Sequence, residues 1–196
     1  MNPQFLLSNI AKHIELSAEE EKLFISLLDD LKIKRKQFFL REQETANQVA
    51  FVVKGCLRAY TIDENGFEHI LQFAPPDWWI TDMYSFISQK PGNLFIDALE
   101  DSDVYLMSRT DQLSLFNDVP KFERYFRILT EKSLVSSRQR LIDSLSYTAQ
   151  QRYETFCNYY PTLINTLPQK MIASYIGVTP EFLSKMKAAQ LREHKK

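Results

Sequence analysis

The spacing of apolar residues changes along the chain, and the changes divide it. Between Ser17 and Leu31, Leu23, Phe24, Leu27, Leu28 and Leu31 recur every three or four positions. That spacing predicts an amphipathic helix. Ser17, followed three residues later by Glu20, has the pattern of a capping box at its start. From about Ile33 to Ser108 the period becomes that of strands. Val49 to Val53 is a β-branched run ending at Gly55, and Leu57 to Ile62 and Phe67 to Phe73 flank Asp63-Glu64-Asn65-Gly66. Asn-Gly between such runs is a strong hairpin signal. Phe95 to Leu99 and Val104 to Ser108 read as a further strand pair joined by Glu100-Asp101-Ser102-Asp103. Short strands with turn signals at regular spacing predict a small barrel or jelly roll.

Helical spacing returns from Pro120 to about Ser146, with Phe122, Phe126, Leu129, Leu134, Leu141 and Leu145 on one stripe and no Gly or Pro inside it. The stripe is longer than the ~11–12 residues of an average helix, so it is suited to pack along the roll or to zip against a partner. A second helix is expected from about Ala149 to Tyr159, ending before Pro161.

Leu167 to Lys187 is the most specific segment. Met171, Ile172, Tyr175 and Ile176 give a short helix one apolar face, and Gly177 follows where a positive φ ends a helix. Thr179 can cap the next helix, Pro180 suits its first position, and Glu181 suits its positive end. Phe182, Leu183 and Met186 are expected on the buried side, leaving Ser184, Lys185 and Lys187 for the other. A helix–turn–helix of this form is suited to place its second helix in the DNA major groove; the alternative is a generic helical hairpin packed in a core, with Lys185 and Lys187 as a solvated face.

Composition adds limits. The chain has 196 residues, 44% hydrophobic and 25% charged, and no apolar run approaches the ~18–20 residues needed to span a bilayer. No membrane partner is expected. Met1 to Phe5 lacks the basic start and apolar run of a signal peptide, so cytoplasmic residence is expected. Cys56 and Cys157 are too few and too far apart for a disulfide framework, and each is expected to be a buried free thiol. Net charge is −1, yet from Pro168 onward six basic residues face two acidic ones, giving +4 and leaving −5 for the rest. An acidic body with a basic tail suits a protein that meets phosphate at one end. His13, His69 and His194 follow no ligand spacing, so no metal, cofactor or cupin-like catalytic site is expected, and the chain does not read as an enzyme.

The order roll, long helix, helix–turn–helix resembles the Crp/Fnr superfamily, the cyclic-AMP receptor protein and its relatives. The strongest stretches are Phe51 to Arg58, the Asp-Glu-Asn-Gly hairpin, Phe73-Ala74-Pro75-Pro76-Asp77-Trp78-Trp79, and Leu167 to Lys187. The resemblance implies an α+β fold: an N-terminal β-roll (a double-stranded jelly roll, cyclic-nucleotide-binding-domain-like), a long dimerisation helix and a C-terminal helix–turn–helix. It places the roll with its N-terminal helix in residues 1–118, the dimerisation helix in 119–146 and the DNA-binding domain in 147–196. It implies a homodimeric transcription regulator on a two-fold symmetric operator, with an unknown small-molecule effector and, for an activator, RNA polymerase as partners.

Departures from the family pattern narrow this. Nucleotide-binding members hold the cyclic phosphate with an arginine followed by a small hydroxyl residue; those positions fall near Gly92-Asn93, and no arginine lies between Leu71 and Met107. Asp82 falls near the usual ribose-binding glutamate, but Thr81 replaces its glycine. A partly buried phosphodiester needs a cation or aligned N–H donors. Cyclic AMP is therefore not expected to bind in the standard way. The iron–sulfur branch needs N-terminal cysteines, and the first here is Cys56. In the reading helix, Pro180 and Lys185 stand where arginines are common, and only nine residues follow Lys187, so any wing is expected to be reduced or missing.

The DNA-contact candidates are Gln169, Thr179, Glu181, Ser184, Lys185 and Lys187. Thr179 serves equally as a cap, and Glu181 as a helix-start residue; for Lys187 phosphate contact is favoured over base readout. The effector-pocket candidates are Arg58, His69, Trp79, Asp82, Tyr84 and Asn93, each with a core or surface alternative. A second functional reading is a small-molecule sensor or interaction protein whose DNA-binding tail is vestigial.

Overall fold

The structure, a computed structural model, describes the backbone of residues 1–193 and the side chains of residues 1–189. Among the described residues, eight strands form two antiparallel sheets. In one, β1 (Asp29–Ile33), β8 (Ser102–Ser108), β3 (Gln48–Lys54) and β6 (Trp79–Ile80) lie in that order; in the other, β2 (Phe38–Leu40), β7 (Phe95–Ala98), β4 (Leu57–Ile62) and β5 (Glu68–Ala74) do. Helices α1 (Gln4–Ala11) and α2 (Ala18–Ser26) precede the sheets, and α3 (Met83–Ser88) interrupts them. Then follow α4 (Arg109–Asp118), α5 (Lys121–Ser146), α6 (Ala149–Tyr159), α7 (Gln169–Ile176) and α8 (Pro180–Glu193). The expected α+β roll, long helix and helical tail are all present.

Two compact units emerge. One comprises residues 1–61 and 71–131; the other comprises 62–70 and 132–196. Helix α5 begins in the first and ends in the second. The β4–β5 hairpin starts and returns in the first, and its tip, residues 62–70, groups with the C-terminal helices.

The first unit is held by one apolar core. Leu57 and Ala59 of β4, Ile96 and Ala98 of β7, and Ala50, Phe51 and Val52 of β3 meet there with Leu6 and Ile10 of α1 and Phe122 and Tyr125 of α5. Phe24 stacks on Phe122 with ring centroids 4.7 Å apart, which secures α2 against α5. A buried polar chain crosses this core. The Trp79 indole N–H donates to the Tyr125 hydroxyl (2.9 Å), which donates to Asn9 Oδ1 (2.6 Å). Asn9 Nδ2 donates in turn to Asp77 Oδ1 (2.9 Å). Buried donors and acceptors need such partners, and the chain satisfies them across α1, the β5–β6 loop and α5.

Several expectations need correction. The capping box is formed: Ser17 N–H donates to Glu20 Oε2 (2.7 Å), and Glu20 N–H to Ser17 Oγ (3.3 Å). The helix nevertheless stops at Ser26, and residues 29–33 form β1, where Leu31 pairs with Val104. Sheet pairing has overridden the helical period there. Strands β7 and β8 are not a hairpin pair. The first joins β2 and β4, the second joins β1 and β3, so the link between them, residues 99–101, passes from sheet to sheet, and Ser102 and Asp103 already belong to β8. Helices α1, α3 and α4 and strand β6 were not anticipated. Of the α5 stripe, Phe122 is buried and Phe126 and Leu129 are half-buried, whereas Leu134, Leu141 and Leu145 are exposed. Phe182 is 50% exposed rather than buried, while Leu183 is fully enclosed. Cys56 is buried, but Cys157 only half so. Residues 188–193, where a reduced wing was allowed for, continue α8; His194, Lys195 and Lys196 lie outside the described residues.

Candidate nucleic-acid interface and sensor residues

The helix–turn–helix forms for the reasons its residues suggest. Gly177 takes φ 71° and ψ 45°, the left-handed conformation that ends α7. Val178 N–H donates to Ala173 C=O (3.0 Å) and Gly177 N–H to Ser174 C=O (3.3 Å), the bond pair of a Schellman cap. Thr179 then caps α8, its Oγ1 accepting from Phe182 N–H at 3.2 Å. Inside the unit, Ile172, Ala173 and Ile176 of α7, Leu183 of α8 and Phe156 of α6 are buried together. The Tyr175 ring lies 5.3 Å from that of Phe156 and 5.5 Å from that of Tyr160.

Outside, Gln169, Thr179, Glu181, Ser184 and Lys185 are all exposed. Ser184 Oγ donates to Gln169 Oε1 (3.2 Å), so the start of α7 and the middle of α8 meet at one polar edge. Glu181, Ser184 and Lys185 share one side of α8 by their i, i+3, i+4 spacing. Lys187 is different. Its ammonium lies 5.5 Å from the Tyr153 ring centre, so it is held against α6 by a cation–π contact.

The sequence reading missed three residues that fix this unit. The last turn of α7 contains no basic residue of its own, and its terminal carbonyls need partners. Arg140 of α5 donates to Tyr175 C=O (2.8 Å) and lies 4.0 Å above the Tyr175 ring. Arg152 of α6 donates through Nε to Ile176 C=O (2.8 Å) and through NH1 to Tyr147 C=O (2.8 Å). Two cations at the negative end of α7 also favour its dipole. Ser174 is the third: its Oγ accepts from Ile70 N–H (3.0 Å) and donates to Glu68 C=O (2.6 Å). A C-terminal turn with no basic residue of its own was the one sequence signal that pointed to outside help.

The pocket candidates are dispersed. Arg58 is buried and already engaged: Nε donates to Asp97 Oδ1 (2.7 Å), NH2 donates to Asp97 Oδ2 (3.0 Å), and the guanidinium lies 4.2 Å above the Tyr60 ring. His69 pairs with Asp63 (2.9 Å) on the exposed hairpin, and that hydrogen bond holds the Asp63 carboxyl below its usual range. Trp79 belongs to the core chain described above. Asp82 is buried as the N-cap of α3, with Oδ1 accepting from Ser85 N–H (3.1 Å). Tyr84 and Asn93 are exposed. A cavity of about 330 Å³ lies instead between β2 and β3, lined by Phe39, Leu40 and residues 44–48, none of them a candidate. Among the described residues no group of three His, Cys, Asp or Glu converges as a metal ligand set. Nor, among the described residues, is any helix long and apolar enough to cross a membrane.

Residues 30–118 match the cyclic nucleotide-binding domain family. No curated protein matches the chain in sequence. Solved structures match it closely in fold. FixK2 of Bradyrhizobium japonicum has a TM-score of 0.73 at 21% identity, covering 86% of each chain. CLP of Xanthomonas campestris, described as a c-di-GMP-responsive global regulator, has 0.72 at 13%, covering 89% of this chain and 94% of its own. A Crp/Fnr-family protein from Eubacterium rectale has 0.70 at 16%, covering 90% and 85%. The chain is therefore similar to the cyclic nucleotide-binding domain family over residues 30–118, and it shares the fold of solved structures that include a Crp/Fnr-family protein.

Proposed function

We propose that the chain is a homodimeric, sequence-specific DNA-binding transcription regulator whose β-roll senses something other than cyclic AMP in its standard pose. The carrying observation is the open face of α8. Glu181, Ser184 and Lys185 stand exposed on one side of a helix whose start is capped and whose other side is sealed by Leu183. Such a face can reach base edges, with glutamate suited to cytosine N4 and lysine to guanine acceptors.

Homodimerisation draws support from the second half of α5. Its Arg140 and Asp143 are turned into the C-terminal unit, while Leu134, Val135, Leu141 and Leu145 are 54%, 68%, 60% and 79% exposed. Polar inside and apolar outside is the pattern of a helix awaiting a second copy. A two-fold dimer would set two α8 helices about one DNA turn apart, ~34 Å, and an effector would act by altering that spacing. The sensor reading draws support from Arg58, whose charge is matched by Asp97.

The test is binding selection from a random duplex pool, followed by titration across salt. The expected result is a two-fold symmetric site, affinity falling steeply with salt, and weakening by Lys185→Ala of about fivefold to a hundredfold. Tight binding that ignores salt and survives Lys185→Ala would overturn the reading. The exposed Phe182 ring and the inward turn of Lys187 favour a second reading, protein contact by a vestigial DNA-binding tail. A stable dimer that selects no duplex would support it.

A further inference from the structure

Strand β5 is an edge strand, so its outward N–H and C=O groups have no strand neighbour. At the hairpin tip those groups are nevertheless bonded. Ser174 of α7 takes the Ile70 N–H and gives its proton to Glu68 C=O. One hydroxyl thus does what a neighbouring strand residue would do. Arg140 NH2 donates to the next outward group, Ile70 C=O (2.7 Å), and also to Tyr175 C=O (2.8 Å). The guanidinium is fixed in that position by the Tyr175 face. Hydrogen bonds from a charged donor are stronger than neutral ones, and a planar fork holds direction better than an ammonium.

We propose that Ser174 and Arg140 are positioning residues of the DNA-reading unit: they lock α7, and through the Gly177 turn α8, onto the tip of the β4–β5 hairpin. The proposal rests on the DNA-binding reading. The hairpin consists of β4, an interior strand of its sheet, and the edge strand β5, so a shift of β4 and β5 is passed to the recognition helix through this clasp. Neither residue belongs to the exposed face of α8, so they act on its direction and not on its contacts. The Asn65-Gly66 turn gives the tip its register: Asp63 Oδ1 accepts from both Asn65 N–H and Phe67 N–H (2.9 Å each), which presents Glu68 and Ile70 to α7.

The experiment uses the full chain with Ser174→Ala, Ser174→Thr and Arg140→Lys. Without DNA, hydrogen exchange at the Ile70 amide should quicken about three- to tenfold in Ser174→Ala and stay near wild type in Ser174→Thr. With DNA, the duplex selected by the wild-type chain should bind about three- to tenfold more weakly to Ser174→Ala and Arg140→Lys. A scrambled duplex of equal length should bind all variants alike. The threonine variant should recover selected binding. Unchanged Ile70 exchange removes the clasp. Equal losses on selected and scrambled duplexes reduce it to a purely structural contact and overturn the positioning role. If the wild-type chain selects no duplex, the DNA reading falls and the positioning role with it, while the exchange measurement still reports whether the clasp exists.

Discussion

Single residues in this chain act mainly through what they neutralise or enclose. Arg58 and Asp97 sit directly opposite each other on β4 and β7 and are both buried. Two charges withdrawn from water are tolerable only as a pair, and removing one leaves the other uncompensated. Asp97→Ala should therefore lower unfolding free energy by about 3–5 kcal/mol, measured by denaturant titration. A loss below about 1 kcal/mol would mean that water reaches the pair. The thiols give a contrast in accessibility. Burial pushes Cys56 up to about 12, with the Glu100 charge adding to the effect. Its thiolate is scarce at any pH well below that value, so raising pH from 7 to 9 should leave its alkylation slow in the folded protein. Cys157 is half-buried and should label first. Rapid modification of both thiols in the native state, with kinetics following an ordinary thiol titration, would contradict the burial.

Elements were legible where their signals were local. Strand β4, helices α5 and α6 and the α7–α8 turn follow from β-branched runs, uninterrupted stripes, caps and Gly177, all of which lie within a few residues of what they determine. The short α3 and two-residue β6 escaped because their length carries no period. Strand β1 escaped because its conformation is set by pairing with β8, whose partner residues lie 69 to 77 positions away in sequence. The site divides likewise. The exposed residues of α8 could be named from spacing, but Arg140, Arg152 and Ser174 act on backbone carbonyls and amides that no sequence motif marks. Two turns test how far local signals control stability. Gly55 has φ 88°, and a Cβ there would meet Ser102 Oγ at 2.2 Å and Asp101 O at 2.8 Å. Gly177 has φ 71°, but a Cβ there would meet nothing within 4 Å. Gly177→Ala should cost about 1–2 kcal/mol, the left-handed term alone. Gly55→Ala should cost more than that by about 1–3 kcal/mol, since packed backbone must also shift. Equal losses in thermal or chemical unfolding would show that the β3–β4 turn relaxes freely.

At the scale of the whole molecule the decisive feature is that α5 changes partner along its length. Up to Leu129 its apolar residues are absorbed by the roll, and Phe122 and Tyr125 are wholly enclosed. Beyond Lys132 the bonds reverse: Ser136 Oγ donates to Tyr159 OH (2.9 Å), Gln139 to Asp143, and Arg140 to the hairpin and α7. The leucines of that half are left in water. A single chain gains nothing from this arrangement, because exposing several leucines in one stripe forgoes burial of about 1.5–3 kcal/mol each. A second copy recovers it symmetrically, since in a two-fold interface each leucine is buried in both protomers. The chain should then sediment as a dimer at micromolar concentration. Leu141→Glu should raise the dissociation constant about a hundredfold or more, because two leucines leave the interface and two carboxylates enter it. Its helical content should stay near wild type, since the inner face of α5 is untouched. Selected-duplex binding should fall with it, for one recognition helix spans only half of a two-fold site. A wild-type chain that remains monomeric, or a Leu141→Glu chain that remains dimeric, would move the interface away from α5.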